Sequence, residues 1–218
     1  MLGQTGPLDQ PNAAHRRTFR SEEELKMRDL IEAWGRNRWP GRRVVHELVM
    51  GRGENRADVV FIGTEGFSVV EIKSSFDTSS RMLAQVAMFC AASQEVWLYC
   101  DGKFTNDVKL VRHLLPRVGH LHSQRDSWNA PLGDPEIIHE AKPRVPFSEA
   151  LLSLLWVAEL TAEARRASVW QGNPSRPPTH AALVRAMLKL TAGEQMAAVC
   201  RQLRARDALW RADPPVAA

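Results

Sequence analysis

Two carboxylates and an amine carry the strongest chemical signal in the chain: Asp58, within Arg56-Ala57-Asp58, and Glu71-Ile72-Lys73, at the end of an apolar run. Gly63-Thr64-Glu65-Gly66 separates Asp58-Val59-Val60-Phe61-Ile62 from Phe67-Ser68-Val69-Val70-Glu71-Ile72-Lys73. Flanks so rich in β-branched and aromatic residues predict a β-hairpin. A two-residue turn at Thr64-Glu65 pairs Gly63 with Gly66. Counting outward then pairs Ile62 with Phe67, Val60 with Val69 and Asp58 with Glu71, so both carboxylates share one face with Lys73. Carboxylates roughly 5 Å apart repel by about 3 kcal/mol at an effective dielectric of about 20. Lys73 supplies one counter-charge, and a hard divalent cation such as Mg²⁺ supplies the rest. Taken alone, Glu71-Ile72-Lys73 also fits a solvated ion pair on a sheet surface. The apolar Val69-Val70 before it argues instead for burial, where unpartnered charge is costly.

The elements that position these groups are readable on either side. Ser21-Glu22-Glu23-Glu24 opens a helix by the capping-box pattern, and Met27, Leu30, Ile31 and Trp34 mark its buried stripe. Val44-Val45-His46-Glu47-Leu48-Val49 is a first strand. After the hairpin, Ser79 or Ser80 caps a helix running from Arg81 to Phe89, and Glu95 to Cys100 forms another strand. Strand, helix and strand make a crossover that sets the last strand parallel to the second arm of the hairpin.

In this order of elements, with Asp58 and Glu71-Ile72-Lys73 at its centre, the sequence resembles the PD-(D/E)XK nuclease superfamily. Arg56-Ala57-Asp58, Glu71-Ile72-Lys73-Ser74, Asp77, Arg81 and Gln85 look, more narrowly, like the MmcB-like group of DNA-repair nucleases. The resemblance covers roughly residues 21 to 142, and Ala57 stands where the motif has proline. It implies an α/β (α+β) fold: a restriction-endonuclease-like core, ordered αβββαβ, with a mixed sheet flanked by helices and a C-terminal helical region. It also implies a metal-dependent nuclease, an endonuclease rather than an exonuclease, that hydrolyses phosphodiester bonds in DNA during repair, recombination or mobile-element biology. Asp58, Glu71 and the Ile72 carbonyl would hold Mg²⁺ or Mn²⁺, Lys73 would act at the scissile phosphate, and Gln85 would complete the catalytic set. Arg56, Ser74 and Arg81 would contact DNA, Arg81 either through a phosphate or by turning instead to Asp77. The alternative is a non-catalytic nucleic-acid-binding or assembly protein that keeps the nuclease fold.

Two further acids have open roles. Glu47 interrupts an apolar strand, as an accessory metal ligand or as a residue facing water on alternate positions. Glu24, preferred over Glu23, borders the buried stripe of the first helix, as a further ligand or as an acid complementing the helix dipole.

Composition sets outer bounds. The chain has 218 residues and a formal charge of +4. Residues 1–143 carry 19 basic and 19 acidic side chains and residues 144–218 carry 10 and 6, so the excess lies in the C-terminal third and attracts a polyanion only modestly. No run has the length of a membrane helix and no series resembles a signal peptide, which predicts a soluble cytoplasmic protein. Cys90, Cys100 and Cys200, isolated in apolar settings, read as reduced core residues. His120 and His122 alternate without an acidic or cysteine companion and read as ordinary polar positions. No Walker, GxGxxG or serine-nucleophile motif competes.

Three regions follow: a flexible leader over 1–20, with Arg16, Arg17 and Arg20 as mobile phosphate contacts or a solubilising tail; a nuclease-like domain over 21–143; and a helical region over 144–218. Asn106–Leu115 reads as a helix, and Val118–His122 and Glu136–Glu140 read as added strands around a loop containing Trp128, Pro131 and Pro135. Ser148–Val169, His180–Leu190 and Gly193–Trp210 read as helices. With Arg201, Arg204 and Arg206 on the last, they invite a helix-turn-helix. Alternatively they cap the core through Leu152, Leu155, Trp156, Leu183, Met187 and Leu203, and offer a surface for a homodimer or a partner protein.

Overall fold

The hairpin closes in the register that its turn dictates. In a computed structural model describing residues 22–51, 53, 55–123, 132–172, 177–207 and 211–216, the Gly63 N–H donates to the Gly66 carbonyl at 2.8 Å. Strands β2 (Asn55–Ile62) and β3 (Phe67–Lys73) pair Ile62 with Phe67 and Val60 with Val69. The leader with its three arginines, Ser21 of the capping box, and Trp128 and Pro131 lie outside the described residues.

Before the hairpin come helix α1 (Glu22–Arg38) and strand β1 (Arg43–Met50); after it come α2 (Met82–Ala92), β4 (Glu95–Cys100), α3 (Thr105–Leu114), β5 (Gly119–Ser123) and β6 (Pro135–His139). The six strands form one mixed sheet in chain order, β3–β4 and β4–β5 parallel and the other pairs antiparallel. The fold is thus α+β, with the expected αβββαβ order and with β5 and β6 extending the sheet. Helix α2 begins later than its serines suggest. Its N-cap is Arg81, with no side-chain cap, because Ser79 closes the preceding turn through its carbonyl to the Met82 N–H.

One face of the sheet packs on α1 through Val44, Val59, Phe61, Val70, Ile72, Met27 and Ile31. The other face packs on α2 and the C-terminal helices α4 (Ser148–Leu152), α5 (Val157–Arg166), α6 (His180–Met187) and α7 (Ala192–Ala205). On α1 the fully buried positions are Met27, Arg28, Ile31 and Gly35, while Leu30 and Trp34 are half-buried. Gly35 lets the helix sit against Phe61, since a Cβ there would stand 2.0 Å from that ring.

Corrections to the expected C-terminal helices have local causes. Ser148–Val169 breaks in two where the Trp156 N–H donates to the Glu159 carboxylate at 2.7 Å and a new helix starts. His180–Leu190 ends at Met187, and of Gly193–Trp210 the helix ends at Ala205, Trp210 itself lying outside the described residues. Leu152, Leu155, Leu183, Met187 and Leu203 join the core, but Trp156 is 61 % exposed with the Arg206 guanidinium stacked over it at 4.2 Å. Arg201 and Arg206, named for a helix-turn-helix, are tied to Glu163 and Glu159 of α5, each at 2.6 Å.

The outer edge of β1 is covered by the chain's C-terminal segment. Ala212 bridges to Val45, the Asp213 N–H donates to the Val44 carbonyl, and Arg43 holds the carbonyls of Leu203, Arg204 and Arg206. Among the described residues no helix is long and apolar enough to cross a membrane.

Candidate active site

The site forms where the regular alternation of β1 and β2 breaks. Val45 packs on the same face as Leu48 and Met50, and Val60 on the same face as Ala57, whereas a period of two would separate them. The break falls at Glu47, whose φ of 57° is left-handed, and at Asp58; β1 and β2 pair through His46–Val59 and resume at Leu48–Ala57. Such backbone costs of order 1 kcal/mol or more and clusters at functional sites. Here it turns the Glu47 and Asp58 carboxylates toward α1, where both meet Arg28.

The second arm of the hairpin splays at the same level. Pairing of β2 with β3 stops at Val59–Val70, and the Asp58 carboxylate takes the place of a ladder carbonyl by accepting the Ile72 N–H at 2.7 Å. The ladder thus ends one residue short of the expected Asp58–Glu71 pair, and Asp58 turns toward α1 while Lys73 meets Gln85 of α2, so the two carboxylates do not share one sheet face with Lys73; Asp58 still lies beside Glu71. Glu71 is 2 % exposed, and its Oε1 accepts from Lys73 Nζ at 2.7 Å. Its Oε2 is buried with no protein donor and faces Asp58 closely enough to share a proton with it. Burial first, and then the Asp58 charge, push the Glu71 carboxyl well above its usual range, against the pull of Lys73.

Lys73 is held from two sides. Nζ donates to Glu71 and, at 3.2 Å, to Gln85 Oε1, so Gln85 of α2 does reach the strand. Burial disfavours the ammonium, but Glu71, with Asp58 and Asp77 behind it, outweighs that and keeps Lys73 charged. Ser74 is buried and donates its N–H and hydroxyl to Asp77 at 2.7 and 2.8 Å, which fixes the exit of β3. That leaves Arg81 exposed and without an ion pair to Asp77 among the described residues. Arg56 is 54 % exposed, its Nη1 3.8 Å from Glu47. Of the two glutamates weighed on α1, Glu23 accepts from the Ser75 N–H and hydroxyl, and Glu24 turns into the site.

Arg28 is the site residue that sequence reasoning missed. It is 1 % exposed, and its Nη2 donates to Glu24 at 2.7 Å, Glu47 at 2.9 Å and Asp58 at 2.5 Å, while Nη1 donates to the Asp58 carbonyl at 2.6 Å. Burial opposes its charge, and the three carboxylates overcome that opposition. The available signal was Arg28 following Met27 on the apolar stripe, one turn after Glu24.

The donor set suits a hard divalent ion. Glu24, Glu47 and Asp58 each offer an oxygen, all within 4.8 Å of one another. Glu71 adds a buried oxygen that lacks a donor. Four carboxylates converge here, Glu24, Glu47 and Asp58 on Arg28 and Glu71 on Lys73.

Comparison with known proteins adds a lineage. The family model for bacteriophage P4 protein cII matches residues 15–207. The chain belongs to that family. Protein cII of Enterobacteria phage P4 is 28 % identical over 87 residues, which are 40 % of this chain and 33 % of the phage protein, so the alignment spans about a third of that relative's length. Among solved structures, Pyrococcus furiosus SfsA in complex with Ca²⁺ aligns with a TM-score of 0.34 and 15 % identity, over 54 % of this chain and 63 % of that one. The region matched to the cII family runs from before α1 to the end of α7. It therefore contains every residue of the candidate site.

Proposed function

We propose that this cII-family protein is a Mg²⁺- or Mn²⁺-dependent nuclease that hydrolyses phosphodiester bonds in DNA. The observation that carries the reading is the convergence of Asp58 and Glu71 beside a Lys73 ammonium that Gln85 also holds. A hairpin with only a structural task has no use for a buried, donor-free carboxylate oxygen facing a second carboxylate. Asp58, Glu71 and the Ile72 carbonyl, with Glu47 and Glu24 in reach, would hold the ion, which when bound supplies Lewis acidity toward the phosphate and its attacking water.

The remaining work falls to the chain's own groups. Lys73, fixed between Glu71 and Gln85, presents a compact charge that orients water and neutralises the charge building on the phosphoryl oxygens. Arg28 holds Glu24, Glu47 and Asp58 in one geometry, and so acts on position. Arg56, at the end of a long 3.8 Å contact to Glu47, and Arg81 are both exposed and would take flanking phosphates.

The test is a panel of labelled linear, branched, single-stranded and RNA substrates in Mg²⁺ and Mn²⁺. Wild-type protein is expected to cleave DNA, and Asp58→Asn or Lys73→Ala to lose at least about 10²-fold in rate with circular dichroism unchanged. Wild-type rates in either variant would remove the mechanism.

Arg28 itself favours a second reading. It already supplies a cation to Glu24, Glu47 and Asp58, and a chain that used the cluster only to lock α1 onto the sheet would be a nucleic-acid-binding or assembly protein on the same fold. Calorimetric titration with Mg²⁺ decides: uptake of one ion, lost in Glu71→Gln, supports catalysis, and no uptake favours the second reading.

A further inference from the structure

A cavity of about 320 Å³ opens at the turn end of the hairpin, five residues along β2 from Asp58. At about 3.3 Å per residue this is roughly 17 Å from the candidate active site, which shares none of its residues. Its walls include Arg42, Arg204, Thr64, Glu65, Gly66 and Gln94.

The two arginines differ from five others of the chain. Arg36, Arg38, Arg201, Arg206 and Arg211 each hold a carboxylate within ion-pair distance. Among the described residues Arg42 and Arg204 do not. Arg42 Nη1 donates to the Ser68 hydroxyl at 2.9 Å, and Ser68 relays to Glu95 at 3.3 Å, so Arg42 has its direction fixed by a neutral group. The Arg204 Nε is buried without a hydrogen-bond partner. Both side chains line the same cavity. Opposite them, Gly66 has no Cβ because Gln94 lies in that space, and Gln94 Nε2 donates to the Glu65 carbonyl at 3.2 Å. Glu65, exposed on the rim, trims the formal charge of the cavity to one positive.

We infer that this cavity binds a phosphate group, held between the guanidinium forks of Arg42 and Arg204. Two guanidinium groups that line one cavity and have no carboxylate partner among the described residues call for an anion, and two planar forks match the several oxygens of a phosphate better than a single-charge ion. With Glu65 close by, selectivity comes from fork geometry more than from field strength. The same chemistry is offered by a small phosphorylated compound and by the phosphorylated end of a nucleic-acid strand.

The full chain is titrated calorimetrically with inorganic phosphate at fixed ionic strength, chloride serving as the ionic control. Saturable uptake is expected, weakened about tenfold or more by Arg204→Gln and by Arg42→Lys, which keeps the charge and loses the fork. An oligonucleotide with a 5′-phosphate, compared with its 5′-hydroxyl twin, then separates the sources. Competition with phosphate by the first alone assigns a strand end, and competition by neither assigns a small compound. Absence of saturable uptake up to about 10 mM phosphate, or uptake unchanged in both folded variants, overturns the inference. Asp58→Asn binds phosphate as wild type does, so failure here is distinct from failure of the nuclease reading.

Discussion

Arg28→Met removes the cation at the centre of the site while keeping the length of the side chain. Three carboxylates with oxygens within 4.8 Å of one another then face each other, their side chains only 23 %, 18 % and 17 % exposed for Glu24, Glu47 and Asp58. At an effective dielectric of about 20, each pair at that separation repels by about 3.5 kcal/mol. The carboxylates can turn outward or take up a proton, so the net loss is expected near the about 3–5 kcal/mol typical of breaking a buried pair from one side. For a chain of this size that lowers the melting temperature by roughly 10 °C. Urea unfolding and calorimetry in chelator measure the loss. Mg²⁺ is then expected to raise the midpoint of the variant more than that of the wild type, because the ion takes over the missing charge. A loss under about 1 kcal/mol in chelator would show that Arg28 and the three acids are not an energetic unit, and the reasoning would fall.

Other predictions follow from single contacts. Gly35→Ala puts a Cβ 2.0 Å from the buried Phe61 ring, so α1 must lift, at a loss of about 1–3 kcal/mol or more in urea; a neutral outcome would contradict the close approach. His46 and His120 are both held near 4, burial being the main cause, so each stays neutral in the fold while the unfolded chain protonates. The stability each contributes is complete above about pH 6.5 and falls away toward pH 4, by up to about 3 kcal/mol for one histidine. His46→Gln should flatten that acid limb, and an unchanged limb would argue against it. Glu71 works in the opposite sense. Its raised pKa makes its contribution largest in acid and lost as the pH climbs through the folded value, so Glu71→Gln should gain on the wild type as the pH rises above the ordinary carboxylate range in chelator. A constant difference over that rise would mean Glu71 is ionised throughout.

The parts of this fold that follow local rules were readable from residue type. Thr64-Glu65 between glycines set the hairpin register as far as Val59–Val70, which brought Asp58 close to Glu71 but gave no sign that Asp58 would leave the ladder and turn toward α1. The strand, helix and strand after it gave the parallel pair β3–β4. Arg28 was hidden because Glu24 and Arg28, four apart on a helix, look like any solvent-facing ion pair; only the sheet packed against α1 makes the pair buried. The left-handed Glu47 had no glycine or asparagine to announce it. Trp156 read as a core residue by helical period, yet the helix stops before it, and the ring ends up outside under Arg206. Neither Val45 nor Ala212 carries any local sign that they meet.

That last meeting has a consequence for the order of assembly. Strand β1 is made early, but its free edge is sealed by residues 211–213 and by the grip of Arg43 on the end of α7, all of which leave the ribosome far later. Until then a nascent chain displays an apolar strand with open hydrogen-bonding groups, a template for pairing with another copy. Slow synthesis or a stop before Asp213 should therefore send this protein into aggregates even though every group of the candidate active site has already been made.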